Sequence, residues 1–133
     1  MTDIEKIGER GEAIAVRYLQ QIGYRILARN FRYQKGEIDI IATDERFLII
    51  VEVKSRSFPS YGSPEASIGQ TKTDLMALAA GFYQELHDIR LEIRFDVISI
   101  IFRKGKKAQL THMKEAFHAR WGFQLSITPI GLY

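Results

Sequence analysis

Four charged side chains interrupt the two most apolar segments of the sequence. Glu37 and Asp39 alternate with isoleucines in one segment, and Glu52 and Lys54 alternate with valines in the next. Side chains of a strand point alternately to its two faces, so each charged pair lies on a single face of its strand. Carboxylates beside a lysine can hold a divalent cation and act on a phosphate ester.

The turn between the two segments decides which of these charges meet in an antiparallel hairpin. A four-residue loop places Asp39 opposite Glu52, and it places Glu37 opposite Lys54. A two-residue loop instead places Glu37 opposite Glu52. Both registers keep all four charges on one face of the sheet, whereas a shift by one residue would divide them between the faces.

Two opposed carboxylates have Cβ atoms about 4.5–5.5 Å apart, and partial burial adds to their repulsion. A Mg²⁺ or Mn²⁺ ion between Asp39 and Glu52 removes the conflict, with the carbonyl of Val53 as a third ligand. Lys54 could then assist the attacking water or stabilise the charge on a phosphate. The alternative is a solvated sheet face, where Glu–Lys pairs are common. The apolar residues around both acids favour the interior of a sheet instead.

The elements that position these residues follow from periodicity and turn residues. Thr2 and Glu5 form a capping box that opens a helix, and Gly23 is placed to end it. Ser67 and Gln70 have the same spacing at a second helix. The first half is predicted to form a helix over 2–22, strands over 24–31, 37–42 and 47–54, and a loop over 57–64. A second helix follows from Ser67, with one apolar side made of Ile68, Leu75, Leu78, Phe82 and Leu86. The rest is predicted as a strand over 94–102, a basic turn over 103–107, a short helix over 113–120 and a final extended piece. This order predicts an α/β domain with an α-β-β-β-α-β core, in which helices flank a mixed central sheet.

Composition restricts the class of protein. The chain has 133 residues, of which 46% are hydrophobic and 26% charged, and it contains no cysteine. These values predict one folded domain over 1–120 with a C-terminal extension over 121–133, and they exclude disulfides and thiolate chemistry. No apolar run approaches the ~18 residues that a membrane span needs, and no signal segment precedes the helix. We therefore expect a cytoplasmic protein, whose net charge of +3 permits a polyanionic partner.

At the charged residues the sequence resembles a known family. Asp39, followed after twelve residues by Glu52-Val53-Lys54, resembles the PD-(D/E)xK signature of restriction-endonuclease-like nucleases, with Ile38 in place of the proline. Segments within about residues 8–117 resemble the bacterial YraN-like family: Gly11-Glu12-Ala13, Gly23 to Leu27, Arg29-Asn30, Gly36 to Asp39, Val51 to Arg56, Arg94 to Val97 and Lys114 to Phe117. The resemblance implies a restriction-endonuclease-like fold similar to that of archaeal Holliday-junction resolvases.

Residues around the core complete the predicted site. The resolvase-like relatives carry an acid of the first helix in the metal site, and Glu12 is the matching residue. Lys72 opposes the dipole of the second helix; a phosphate contact would explain it, and a solvent-exposed lysine is the equally weighted alternative. The family motif also has a lysine there. Arg56 is placed near a scissile phosphate, while Arg29 and Arg32 could neutralise phosphates beside the first strand.

Two further features are candidates for nucleic-acid contacts. The basic turn over 103–107 could neutralise phosphates, although such turns are often merely solvated. Phe58 and Tyr61 in the loop after the third strand could stack on unpaired bases, or they could pack against the protein.

Together these residues predict a Mg²⁺- or Mn²⁺-dependent endonuclease that hydrolyses phosphodiester bonds in DNA, with branched or single-stranded DNA as candidate substrates. Asp39, Glu52 and Lys54 are the predicted catalytic residues, and Val53 and Glu12 join the two acids at the metal. The alternatives are a nucleic-acid-binding module that keeps this fold without turnover and a purely structural partner protein. We expect nucleic acid as partner, DNA ahead of RNA, and no membrane. A homodimer is left open.

Overall fold

A computed structural model describes residues 1–117 and 131–132 of the chain. Its elements are α1 (Asp3–Gln21), β1 (Arg25–Tyr33), β2 (Gly36–Thr43), β3 (Phe47–Ser57), a 3₁₀ turn (Glu65–Ser67), α2 (Gln70–Leu86), β4 (Glu92–Phe102), β5 (Gln109–Met113) and β6 (Gly131–Leu132). Among the described residues, no helix is both long and apolar enough to cross a membrane.

The strands form one mixed sheet in the order β1-β2-β3-β4-β5-β6. β3 and β4 run parallel, and the other neighbouring strands are antiparallel. α2 provides the crossover that a parallel pair requires. α1 packs on one face of the sheet and α2 on the other. The predicted α/β fold with an α-β-β-β-α-β core is confirmed.

α1 begins with the predicted capping box. The Thr2 hydroxyl accepts a hydrogen bond from the Glu5 N–H at 3.1 Å, and the Glu5 carboxylate accepts one from the Thr2 N–H at 3.0 Å. The helix ends at Gln21, and Gly23 follows with a φ of +94°, a conformation that favours glycine. These local signals fix both ends of the helix.

Each face of the sheet buries its own hydrophobic core. Ile40 belongs to the core under α1, and Ile41 belongs to the core under α2, as strand alternation requires. Ile38 also lies in the α2 core, although regular alternation would put it on the same face as Ile40. Alternation breaks at Asp39, opposite Asn30 of β1, whose φ of +51° marks an irregular backbone. The predicted acid therefore stands at the point where the strand departs from regular geometry.

α2 starts later than its capping-box spacing predicts. Gly69 is its N-cap and provides no side-chain hydrogen bond. The Ser67 hydroxyl donates to the Pro64 carbonyl at 2.7 Å, and the Gln70 amide donates to Asp74 at 2.9 Å. The predicted box fails because both side chains have other partners.

The buried face of α2 also differs from the predicted apolar stripe. Small and flexible side chains face the sheet, including Met76 and Ala79, which are fully buried. Leu78 is 43% exposed, and Leu86 is 60% exposed. The close approach of Gly36 to the backbone of α2 explains this choice, because a Cβ at Gly36 would lie 2.4 Å from the Leu75 carbonyl oxygen. Such tight packing favours the face with the smaller side chains.

The chain after β4 forms a strand where the sequence predicts the start of a helix. Gln109–Met113 is β5, in which buried Leu110 and His112 alternate with more exposed neighbours. This period of two is that of a strand. Residues 113–117 are not helical, so the prediction of a helix over 113–120 is wrong for them. Residues 118–120 lie outside the described residues. Of the predicted extension over 121–133, Gly131–Leu132 is described and pairs with β5.

Candidate functional site

The hairpin that carries the charged residues has the four-residue loop. Thr43 lies opposite Leu48, and Ile40 lies opposite Val51. The register with a two-residue loop is thereby excluded. The Thr43 hydroxyl donates to the Phe47 carbonyl at 2.9 Å, which secures the turn at its base.

Asp39 links β2 to β3 through its side chain where the backbone pairing ends. The β2–β3 pairs extend to Ile40 and Val51. Asp39 Oδ2 then accepts a hydrogen bond from the backbone N–H of Val53 at 2.8 Å. The register places Asp39 across from Glu52, so the predicted pair of acids meets at this end of the hairpin.

Glu52 is a buried carboxylate that contacts two lysines. Its side chain is 5% exposed, and Lys72 Nζ donates to its Oε1 at 2.6 Å. Lys54 Nζ lies 3.9 Å from the same oxygen. Burial by itself lowers the pKa of Lys72, but the hydrogen bond and charge of Glu52 raise it above its ordinary value. The N-terminus of α2 therefore supplies the nearest positive charge to Glu52, a contact that sequence analysis missed.

Asp39 holds its proton unusually tightly. Burial, with the charge of Glu52 as the next largest cause, raises the pKa of its carboxyl from 3.8 to about 7. The N–H of Val53 opposes this rise, while Glu12 adds to it and Lys72 subtracts from it. Desolvation and a like charge both favour the protonated carboxyl, and here they outweigh the charge of Lys72.

Glu12 is brought to the sheet by the glycine beside it. Gly11 is buried, and a Cβ at this position would lie 1.7 Å from the Ser55 hydroxyl oxygen. Only glycine permits α1 to approach β3 this closely. Burial raises the pKa of Glu12, Arg29 lowers it, and Glu37 and Glu52 raise it. Its Oε1 is buried with no hydrogen-bond partner among the described residues.

The three acids provide donors that suit a hard divalent cation. No group of three or more His, Asp or Glu side chains within 1–117 is arranged as a preformed metal site. Mg²⁺ does not require one, because one or two carboxylates usually hold it together with waters and substrate phosphates. Asp39 and Glu52 meet that requirement, and the unpartnered Oε1 of Glu12 is a third oxygen donor. The donor set fits Mg²⁺ or Mn²⁺.

The remaining predicted residues lie farther from this acidic group. Glu37 is exposed and lies 3.4 Å from Arg32, since the β2–β3 pairing stops before it could meet Lys54. Arg29 is exposed on β1, and its charge reaches Glu12. Arg56 donates to Ser60, Tyr61 and Ser67, so it organises the loop after β3.

Comparison with known sequences identifies the family. A model of the uncharacterised protein family UPF0102 matches residues 11–100. A UPF0102 protein of Flavobacterium psychrophilum is 41% identical over 118 residues, which cover 89% of this chain and 98% of that protein. This chain belongs to family UPF0102. A relative from Persephonella marina is 46% identical over 111 residues, covering 83% and 91% of the two chains. A third, from Bacteroides thetaiotaomicron, is 39% identical over 118 residues and covers 89% and 97%.

The UPF0102 match includes a second buried charged group, centred on β4. Asp96 is fully buried and accepts hydrogen bonds from Arg94 at 2.8 and 2.9 Å. His112 Nε2 lies 2.7 Å from Asp96, and the Tyr18 hydroxyl lies 2.8 Å from His112 Nδ1. Although burial opposes it, hydrogen bonds from His112 and Arg94 lower the pKa of Asp96. His112 is buried among α1, β4 and β5, which supports a structural role for it.

A signal for this charged group is present in the sequence. Arg94 and Asp96 alternate with apolar residues as Glu37 and Asp39 do. The pattern identifies buried charge in this chain, and it does not distinguish a structural ion pair from a reactive one. The difference lies in compensation, because Asp96 has a full set of donors, whereas Glu12 Oε1 has none among the described residues.

Proposed function

We propose that this chain is a Mg²⁺- or Mn²⁺-dependent nuclease that hydrolyses phosphodiester bonds in DNA. One observation carries the proposal: carboxylates from three elements influence one another at the end of the β2–β3 hairpin. Burial and Glu52 together raise the pKa of Asp39 to about 7. Such an excess of buried negative charge has no benefit for the fold, and it is the usual property of an acidic metal site.

In this proposal each residue has a distinct task. Asp39 and Glu52 hold the cation with the Val53 carbonyl, and Glu12 contributes from α1. The cation would supply an activated water and stabilise the phosphate in the transition state. Lys54 orients the attacking water or stabilises the developing charge from 3.9 Å beside Glu52.

Basic residues around the acids serve DNA binding in the same proposal. With a cation on Glu52, Lys72 would be available to contact a phosphate at the N-terminus of α2. Arg56 contributes through the loop that it holds, and Arg29 and Arg32 neutralise phosphates along β1. These contacts do not depend on base sequence, which suits a nuclease that recognises the shape of DNA.

The experiment is a cleavage assay on labelled duplex, single-stranded, flap, forked and four-way DNA, with Mg²⁺ or Mn²⁺ and with EDTA. We expect metal-dependent cleavage that Asp39→Ala abolishes. Lys54→Ala should reduce the single-turnover rate by about 10²–10⁴-fold while leaving binding intact, because its contribution is to the transition state.

Two exposed residues provide matched controls. Asp88→Ala and Lys35→Ala remove the same charges from exposed positions outside the acidic group and should leave the rate unchanged. Cleavage that survives unchanged in both Asp39→Ala and Lys54→Ala would come from a contaminant. Absence of cleavage on every substrate would refute the proposal for DNA, and an RNA strand in the same panel tests the other nucleic acid.

A second function is favoured by the 2.6 Å contact between Lys72 and Glu52. Because this lysine already compensates the buried carboxylate, the chain could bind nucleic acid without metal or turnover. In that case Lys54 is a phosphate anchor, and Lys54→Ala should weaken affinity and lower the salt slope of binding by about one. Fluorescence anisotropy over a salt series, beside the single-turnover assay, distinguishes this binding module from the nuclease.

A further inference from the structure

A second surface of the molecule has the composition of a polyanion-binding site. At the carboxyl ends of β3 and β4 lies an open groove of about 860 Å³, which we call the basic groove. α1 forms one wall with Arg10, Phe58 forms part of another, and the floor and rim are Phe102 and the turn 103–107. Five cations line it: Arg10, Arg103, Lys104, Lys106 and Lys107. The described lining residues include no carboxylate.

Within 1–117 the positive charges of the groove have no counter-charge. None of the five cations forms an ion pair with a residue in 1–117. The Arg10 guanidinium lies over the Phe102 ring, 4.6 Å from its centroid, and is thereby held at the groove wall. A groove lined by cations that lack counter-charges attracts a polyanion.

An exposed aromatic side chain accompanies the cations. Phe58 is 64% exposed at the start of the loop after β3. Its N–H donates to the Phe102 carbonyl at 2.8 Å, so the backbone beneath the ring is fixed. A positively charged groove with an aromatic ring on its wall is the arrangement by which proteins bind single strands, because every unpaired base offers a face for stacking.

The basic groove and the candidate active site both include residues of β3. Ser57, a lining residue, follows Lys54 by three positions, which is about 10 Å along a strand. Because side chains alternate along a strand, the two residues lie on opposite faces of the sheet, and the groove is on the side of α1.

We propose that the basic groove binds a single strand of nucleic acid, whose phosphates contact the turn 103–107 and Arg10 and one of whose bases stacks on Phe58. This inference rests on the proposed function, and it names the substrate class: nucleic acid with an unpaired segment. A duplex cannot offer an unstacked base to Phe58, so pairing of the strand removes one of the two contacts.

The test is fluorescence anisotropy with a labelled 12-nucleotide thymidine strand, in EDTA to exclude metal effects, over a series of salt concentrations. The double variant Lys106→Gln/Lys107→Gln should lower the salt slope by about 1.4, at ~0.7 for each phosphate contact on a single strand. Phe58→Ala should weaken binding by about 5- to 150-fold, and Phe58→Trp should retain it. Lys35→Gln, a lysine outside the groove, is the matched control.

A uridine strand and a duplex of the same length complete the experiment. If Phe58→Ala lowers the affinity for the thymidine and uridine strands equally, the groove binds DNA and RNA alike. If it lowers the affinity for one strand alone, the groove is specific for that nucleic acid. Binding that neither variant weakens, or that Lys35→Gln weakens equally, would overturn the proposal. Circular dichroism melting confirms that each variant is folded.

Failure of this inference and failure of the nuclease proposal give different results. If the groove variants bind and cleave as the parent does, the groove proposal is rejected and the nuclease proposal stands. Strand binding that depends on Phe58 and the turn, with no cleavage and no effect of Asp39→Ala, would reject the nuclease and leave the groove.

Discussion

The raised pKa of Asp39 predicts how the stability of the metal-free protein depends on pH. The folded state binds this proton with a pKa of about 7, against 3.8 for an ordinary aspartate. The protonated carboxyl thus stabilises the fold fully below pH 3.8, and the stabilisation is lost as the pH rises to about 7. The rise corresponds to about 4 kcal/mol, at ~1.36 kcal/mol for each pH unit, a large part of the ~5–15 kcal/mol of a typical domain.

Asp39→Asn removes this titration while its amide oxygen can still accept the Val53 N–H. We expect the variant to resemble the parent in stability near pH 4 and to exceed it by up to about 4 kcal/mol at pH 8. Urea unfolding in EDTA at pH 4, 6 and 8, followed by circular dichroism, measures the difference. Asp88→Asn changes an exposed carboxylate in the same way and should show no such trend.

A stability difference between Asp39→Asn and the parent that stays constant from pH 4 to 8 would refute the reasoning. It would mean that Glu52 and burial do not act on Asp39 as the folded geometry implies. A decrease of the difference with rising pH would be equally decisive, since it would require a folded pKa below 3.8.

Five other substitutions test the packing that positions the site. Gly11→Ala should destabilise the fold by about 1–3 kcal/mol, because its added Cβ overpacks the contact with β3. Gly8→Ala has nothing within 4 Å of its added Cβ and should stabilise the fold by about 0.5–1 kcal/mol. Thermal unfolding measures both changes. Asp96→Ala should cost about 3–5 kcal/mol, since it leaves a buried cation without its partner, and urea unfolding at pH 7 measures this. Met76→Ala should cost about 2–5 kcal/mol and Leu78→Ala under about 1 kcal/mol by the same assay, because the first side chain is buried and the second is 43% exposed.

The candidate site was predictable from sequence where short-range geometry controls it. Side-chain alternation and turn length leave two possible registers for the hairpin that carries Asp39 and Glu52. The structure has the one with the four-residue loop. The capping box at Thr2 was predictable for the same reason, since its hydrogen bonds lie within one helical turn.

The missed features depend on contacts between distant segments. The spacing of Ser67 and Gln70 matches a capping box, yet Ser67 accepts a hydrogen bond from distant Arg56 and Gln70 donates to Asp74 within the helix. Leu78 fits a helical stripe by hydropathy, but close packing of Gly36 on α2 favours a face of smaller residues. The partner of Lys72 lies twenty positions earlier in the chain and on another element, so no local pattern could reveal it.

The connections of β3 have a consequence for the order in which the site assembles. The β2–β3 hairpin closes through its four-residue loop, 44–47, whereas the β3–β4 pair closes over 34 residues, 58–91. The longer closure costs about 2 kcal/mol more chain entropy. We expect Asp39 and Glu52 to meet first, and Lys72 to reach Glu52 when the crossover docks. Lys54 belongs to the hairpin itself, so Glu52 has one cation nearby before α2 adds the second.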